Sequence, residues 1–142
     1  MKQQEKVMLA SPEWIELGGR ILGDLVQEYG DENFSLSFCY VFIDAPTEIA
    51  DDSGTASCCY YIENKTVRTH HGKSKDVDVY MQATWELELA GARKVYTPKV
   101  IAELEKNPPE PHVDPNMLIE GDYDNRPSWM LEFHNRLAEH TA

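Results

Sequence analysis

The sequence predicts a single α+β domain, a five-stranded, mainly antiparallel sheet covered on one face by helices, and three patterns carry that prediction. Near the start, Trp14, Gly18, Ile21, Leu22, Leu25 and Tyr29 recur at three- and four-residue steps, the spacing of one helical face. From Phe34 to Ile43 the period changes to two, with Phe34, Leu36, Phe38, Tyr40 and Phe42 on one side. Further on, Asp76-Val77-Asp78-Val79-Tyr80-Met81 alternates acid with aliphatic and is followed by Thr84-Trp85, a strand leading to a helix that would roof the sheet.

Composition agrees with one folded unit over residues 1–142, its first ten residues expected to be flexible. At this length a chain buries roughly two thirds of its unfolded surface in one core. Three Trp, seven Tyr and four Phe supply the apolar area that offsets chain entropy. Thirteen basic against twenty-five acidic residues give a net charge of -12, which repels phosphate backbones and anionic lipid surfaces, so nucleic acid is excluded as a partner. There is no apolar run of membrane-spanning length, no signal-peptide pattern in Met1 to Lys6, and no peroxisomal address at His140-Thr141-Ala142. A cytoplasmic protein without stable membrane anchoring is expected.

Ser11-Pro12-Glu13 opens the first helix with a hydroxyl cap, a proline where no amide donor is needed and an acid near the positive end. The helix should run to about Tyr29 and stop at Gly30; its internal Gly18, Gly19 and Gly23 read as close packing on a sheet. After the aromatic strand, Ala45 to Gly54 is a solvated loop rich in Asp, Ser and Pro. A second strand covers Thr55 to Glu63, Asn64-Lys65 makes a two-residue hairpin turn, and a third strand covers Thr66 to His71. The fourth is Asp76 to Met81. Thr84 is placed to cap a helix from Trp85 to about Gly91, and Thr97-Pro98 opens another that ends at Asn107-Pro108. Asn107 to Pro115 holds four of the eight prolines and should be a stiff, extended connector. Met117 to Gly121 forms the fifth strand, and after Asp122 to Pro127 a last helix carries Trp129, Met130, Phe133 and Leu137 at core spacing.

Cys39, Cys58 and Cys59 lack the short-spaced pairing of metal ligands or of a disulfide framework, and read as small buried core residues in a reducing compartment. His70 and His71, sequential in a strand, face opposite ways and cannot share a metal or a proton transfer. Neither a metal nor a cofactor is expected.

The order of elements, together with Asp76, Val77 and Val79 in the fourth strand, Trp85 at the start of the following helix, and Leu118, Ile119, Gly121 and Asp122 in the last strand, resembles the sterol carrier protein type two family. The resemblance runs from about Ser11 to Ala142. It implies an apolar cavity between sheet and helices that holds a fatty acyl, fatty acyl-CoA or sterol-like molecule. The residues expected to line it are Phe38, Phe42, Val79, Met81, Trp85, Leu89, Val100, Ile101, Leu104, Met117 and Ile119. Met81, Met117 and Met130 stand out because flexible thioethers adapt to varied ligand shapes. Lys65, Arg68, Lys73 and Lys75, clustered within an otherwise acidic chain, suit an anionic headgroup. With so much negative charge, delivery to a protein partner is expected over transfer to anionic bilayers, and a second copy of the chain, as a homodimer, is the other partner considered.

Two other functions fit the residues. Asp44 and His134, with Tyr60 or Tyr61, would permit a ketosteroid-isomerase-like proton transfer, with Asp as base and Tyr as oxyanion donor. Alternatively, the domain is an accessory or scaffold unit whose slot its own side chains fill.

Overall fold

A computed structural model describes residues 6–110, 113–122 and 126–142. Its elements run α1 (Pro12–Tyr29), β1 (Leu36–Ile43), β2 (Ala56–Glu63), β3 (Thr66–His71), β4 (Val79–Thr84), α2 (Trp85–Arg93), α3 (Pro98–Lys106), β5 (Leu118–Gly121) and α4 (Met130–Ala138). The five strands form one sheet in the order β3-β2-β1-β4-β5. Three of the pairings are antiparallel and the central one, β1 with β4, is parallel, so the sheet is mixed. Parallel neighbours need a long crossover. Here the β2–β3 hairpin and the segment after it provide that crossover.

The helix layer covers one sheet face. Ser11 caps α1, its hydroxyl accepting from the Trp14 amide at 3.2 Å, and α1 buries Trp14, Ile15, Gly18, Ile21, Leu22, Leu25 and Val26. A Cβ at Gly18 would collide with the Tyr60 hydroxyl of β2, and one at Gly19 with the Thr69 hydroxyl of β3. These two glycines therefore set the closeness of α1 to the sheet, whereas Gly23 faces open space. Phe38, Phe42, Cys58, Tyr60, Ile62 and Val79 project from the sheet into the same core, where Met130, Phe133 and Leu137 of α4 meet them. The opposite face carries a smaller cluster, Cys39, Val41, Cys59 and Tyr80, with Ile43, Tyr61 and Val77 packed around it.

The fold reaches further toward the amino terminus than the expected flexible first ten residues. Val7 bridges Thr141 in parallel, and Leu9 and Ala10 are buried; residues 1–5 lie outside the described residues. Apolar contact under α1 accounts for this, together with Trp85, whose indole Nε1 donates to the Leu9 carbonyl at 2.8 Å. β4 begins later than Asp76, at Val79, and runs to Thr84. The cause is local: Asp78 exchanges two hydrogen bonds with Ser37, its carboxylate taking the Ser37 amide and its own amide donating to the Ser37 hydroxyl, both at 2.9 Å. The chain enters the ladder only after that latch. At the far edge Gly121, with φ of +94°, pairs with Val79. A side chain there would run into the Asp78 carbonyl.

The Asn64-Lys65 turn has positive φ at both residues, 51° and 59°, as the two-residue hairpin requires. Thr97 caps α3 through its hydroxyl, which accepts from the Val100 amide at 3.2 Å. Thr84 does not cap α2 with its side chain; that hydroxyl donates instead to Asp114 Oδ1 at 2.7 Å. Part of the proline-rich connector, residues 111–112, and part of the loop before α4, residues 123–125, lie outside the described residues.

Candidate functional site

Between the helices and the β1–β4–β5 half of the sheet lies a half-open hollow of about 630 Å³, within the size range of small-molecule sites, roughly 300–1,000 Å³. Period two in the strands builds its floor: Tyr40 and Phe42 from β1, Met81 from β4, and Met117 and Ile119 at β5. Helical spacing builds the opposite wall from Met130, Leu131, Phe133, His134 and Leu137 of α4, with Glu88, Gly91 and Ala92 of α2. Leu9, Trp14, Tyr96, Arg126, Pro127 and Ser128 complete it.

Around the hollow α2 buries no residue completely, and among the described elements β5 has more than marginal contact only with β4. Met117, Ile119 and Leu131 remain 40%, 44% and 44% exposed while facing this space. Apolar side chains left uncovered around a concavity mark a surface that gains from being filled.

A polar strip runs along the α2–α4 side. His134 Nε2 donates to the Lys94 carbonyl at 2.8 Å, which fixes its ring. Asn135 clips the next turn of chain by accepting from the Tyr96 amide at 2.8 Å and donating to the Tyr96 carbonyl at 3.0 Å. Tyr96 and His134 thereby lie ring against ring, centroids 5.3 Å apart. With Glu88, Arg126 and Ser128 they give the mainly apolar hollow one side able to make hydrogen bonds.

Of the residues the sequence points to, Phe42, Met81, Met117 and Ile119 come together in these walls. Phe38 and Val79 lie beneath them, 1% and 2% exposed, as closed core. Trp85 and Leu89 pack against that core, with Trp85 engaged by Leu9. Val100, Ile101 and Leu104 belong to α3, which has no more than marginal contact with the other described elements, and they are not in the walls. Tyr40, Phe133 and Leu137 enter the walls although sequence reasoning placed them only in the aromatic alternation or at core spacing; Tyr96 and Asn135 carried no sequence signal.

The basic cluster is elsewhere. The Arg68 guanidinium lies 4.2 Å over the Tyr61 ring, and Lys75 Nζ pairs with Glu120 Oε1 at 2.9 Å while lying 4.8 Å from the Tyr80 ring centroid. Tyr61 and Tyr80 belong to the sheet face away from the helices. Lys65 sits in the β2–β3 turn and Lys73 follows β3, so none of the four borders the hollow.

Nor do the proton-transfer candidates converge. Asp44 is exposed at the end of β1 and outside the walls. Tyr60 and Tyr61 point to opposite faces. The Tyr60 hydroxyl donates to the Ile15 carbonyl at 2.8 Å, and burial, then the neighbouring Cys58, raises its pKa well above the ordinary phenol value. Among the described residues no group of three or more His, Cys, Asp or Glu side chains is arranged to hold a metal ion.

No protein-family profile matches this chain, and no curated protein matches it in sequence. Its fold is similar to the solution structure of a conserved hypothetical protein from Thermus thermophilus described as "possibly sterol carrier protein". The two are 10% identical, with a TM-score of 0.54 over 99% of this chain and 96% of that one. At that identity the likeness is one of fold.

Proposed function

We propose that this chain binds a hydrophobic small molecule of the fatty acyl or sterol-like class in the hollow bordered by β1, β4, β5, α2 and α4. The observation that carries the reading is the uncovered apolar lining, Met117, Ile119 and Leu131, around a space of about 630 Å³. Three of the lining residues, Met81, Met117 and Met130, are thioethers, which repack around differently shaped guests. The description of the Thermus thermophilus protein as a possible sterol carrier supports the same class of ligand. Burying about fifteen methylene groups yields a gross ~12 kcal/mol. Subtracting the lower end of the association cost, about 4 kcal/mol, leaves an affinity near ~1 μM. Carriage to a protein partner fits the net charge of -12 better than transfer to an anionic bilayer.

Alternation along β5 supplies the test. Met117 and Ile119 face the hollow, and Leu118, equally accessible at 38%, does not line it. Ile119→Asp and Met117→Asp should each weaken uptake of an environment-sensitive fluorescent fatty acid by about tenfold or more, since an ionised carboxylate is costly against an apolar guest. Leu118→Asp should leave uptake unchanged. Equal loss in all three variants, or in none, would remove the hollow as the binding site.

A further inference from the structure

On the sheet face away from the hollow, Cys39 of β1 stands directly opposite Cys59 of β2. Both side chains are buried in a small cluster with Val41 and Tyr80, and the resting Cys59 thiol donates to the Gly72 carbonyl, in the segment that follows β3, at 3.3 Å. We propose that Cys39 and Cys59 form an oxidisable dithiol, which hydrogen peroxide converts into a disulfide across the β1–β2 ladder.

Geometry carries the assignment. Directly opposed residues of an antiparallel pair hold their Cβ atoms about 4.5–5.5 Å apart, and a disulfide needs about 3.5–4.5 Å. An approach of about 1 Å closes the gap without breaking the register. Both side chains belong to one small buried cluster on that face, together with Val41 and Tyr80. Cys58, next in the chain, projects into the helix-side core and is paired with Tyr40, so it is out of reach of both.

Chemistry points the same way. The neighbouring Cys39 thiol, then the Tyr61 hydroxyl and the Ser74 backbone, hold the Cys59 pKa below that of an ordinary thiol against the opposing effect of burial. The Cys39 thiol is raised by its neighbour Cys59 and by burial. Tyr61 and Tyr80, which pack with the two cysteines, are themselves covered by Arg68 and by Lys75, the latter paired with Glu120. A thiol with a lowered pKa carries more of the thiolate, the form that reacts. The Cys59 thiolate attacks one peroxide oxygen, forming an S–O bond, breaking the O–O bond and releasing hydroxide. Cys39 then attacks the sulfenic sulfur; an S–S bond forms and, with the Cys39 proton, water leaves. Overall two thiols and one peroxide become one disulfide and two waters.

The native protein is treated with hydrogen peroxide, its intact mass measured, and the remaining thiols alkylated after unfolding before peptide mapping. The expected result is a loss of two hydrogens, a bond joining the Cys39 and Cys59 peptides, and Cys58 alkylated. Cys39→Ala, with its fold checked by circular dichroism, should instead gain one oxygen at Cys59, trapped by dimedone. Because the wild-type map decides alone, a poorly folded variant does not obscure the outcome. All three thiols alkylated after treatment, a bond to Cys58, or linkage only between molecules would overturn the assignment.

Discussion

One absent methyl group decides how near α1 lies to the sheet. A Cβ at Gly18 would meet the hydroxyl of Tyr60, a side chain wholly buried and tied to the Ile15 carbonyl, so it has no room to swing away. Gly18→Ala should therefore destabilise the protein by about 1–3 kcal/mol, the usual cost of overpacking. Gly23→Ala, with nothing within 4 Å, should stabilise it by about 0.5–1 kcal/mol through helix propensity. Urea unfolding of the two variants checks both signs; a gain for Gly18→Ala would show that α1 does not sit this close. Three glycines inside a helical stripe were enough to read a close contact from the sequence. Which of them makes it was not, because that depends on Tyr60 and Thr69, more than forty positions along the chain. The cysteines show the same division: their burial followed from composition, whereas the facing of Cys39 and Cys59 needed the strand register.

At the scale of elements, periodicity, cap residues and the Asn64-Lys65 turn located the strands and helices of the described residues, and the ends moved where a side chain replaced the ladder. Asp78 delays β4 by latching Ser37. Asp114 does comparable work at the other end of β4: its carboxylate accepts from the Thr84 amide and hydroxyl at 2.7 Å each and from the Asn116 amide at 2.9 Å. It thus joins the start of α2 to the connector leading into β5. Asp114→Ala should cost about 1–3 kcal/mol by leaving those donors without a partner, more than the ~1 kcal/mol expected for removing the Thr97 cap of α3. Denaturant midpoints of the two variants compare them directly, and a larger loss for Thr97→Ala would refute the ranking. Neither Asp114 nor the parallel pairing of β1 with β4 was legible beforehand. A parallel pair leaves no turn signal between its strands, and a carboxylate in a Pro-rich stretch looks like any solvated acid.

For the whole molecule, the two sheet faces divide the chemistry. The helix-side face carries a closed core under α1 and a half-open hollow beside β5; the other carries the facing Cys39 and Cys59 with Tyr61 and Tyr80 packed beside them. Four residues named from the sequence, Phe42, Met81, Met117 and Ile119, lie together in the floor of the hollow. Sequence spacing could not place α3, whose Val100, Ile101 and Leu104 show the same amphipathic pattern whether they face a cavity or stand aside. Nor could linear clustering of Lys65, Arg68, Lys73 and Lys75 reveal that their neighbours in space lie away from the hollow. The most direct test uses the methionine methyl groups. Of five methionines, Met81, Met117 and Met130 line the hollow, and Met8 does not. In a spectrum of the protein labelled with ¹³C-methyl methionine and titrated with a medium-chain fatty acid, those three signals should shift together and saturably while Met8 stays in place. Three unmoved signals at saturating fatty acid, or a shift of Met8 alone, would contradict a guest in this hollow.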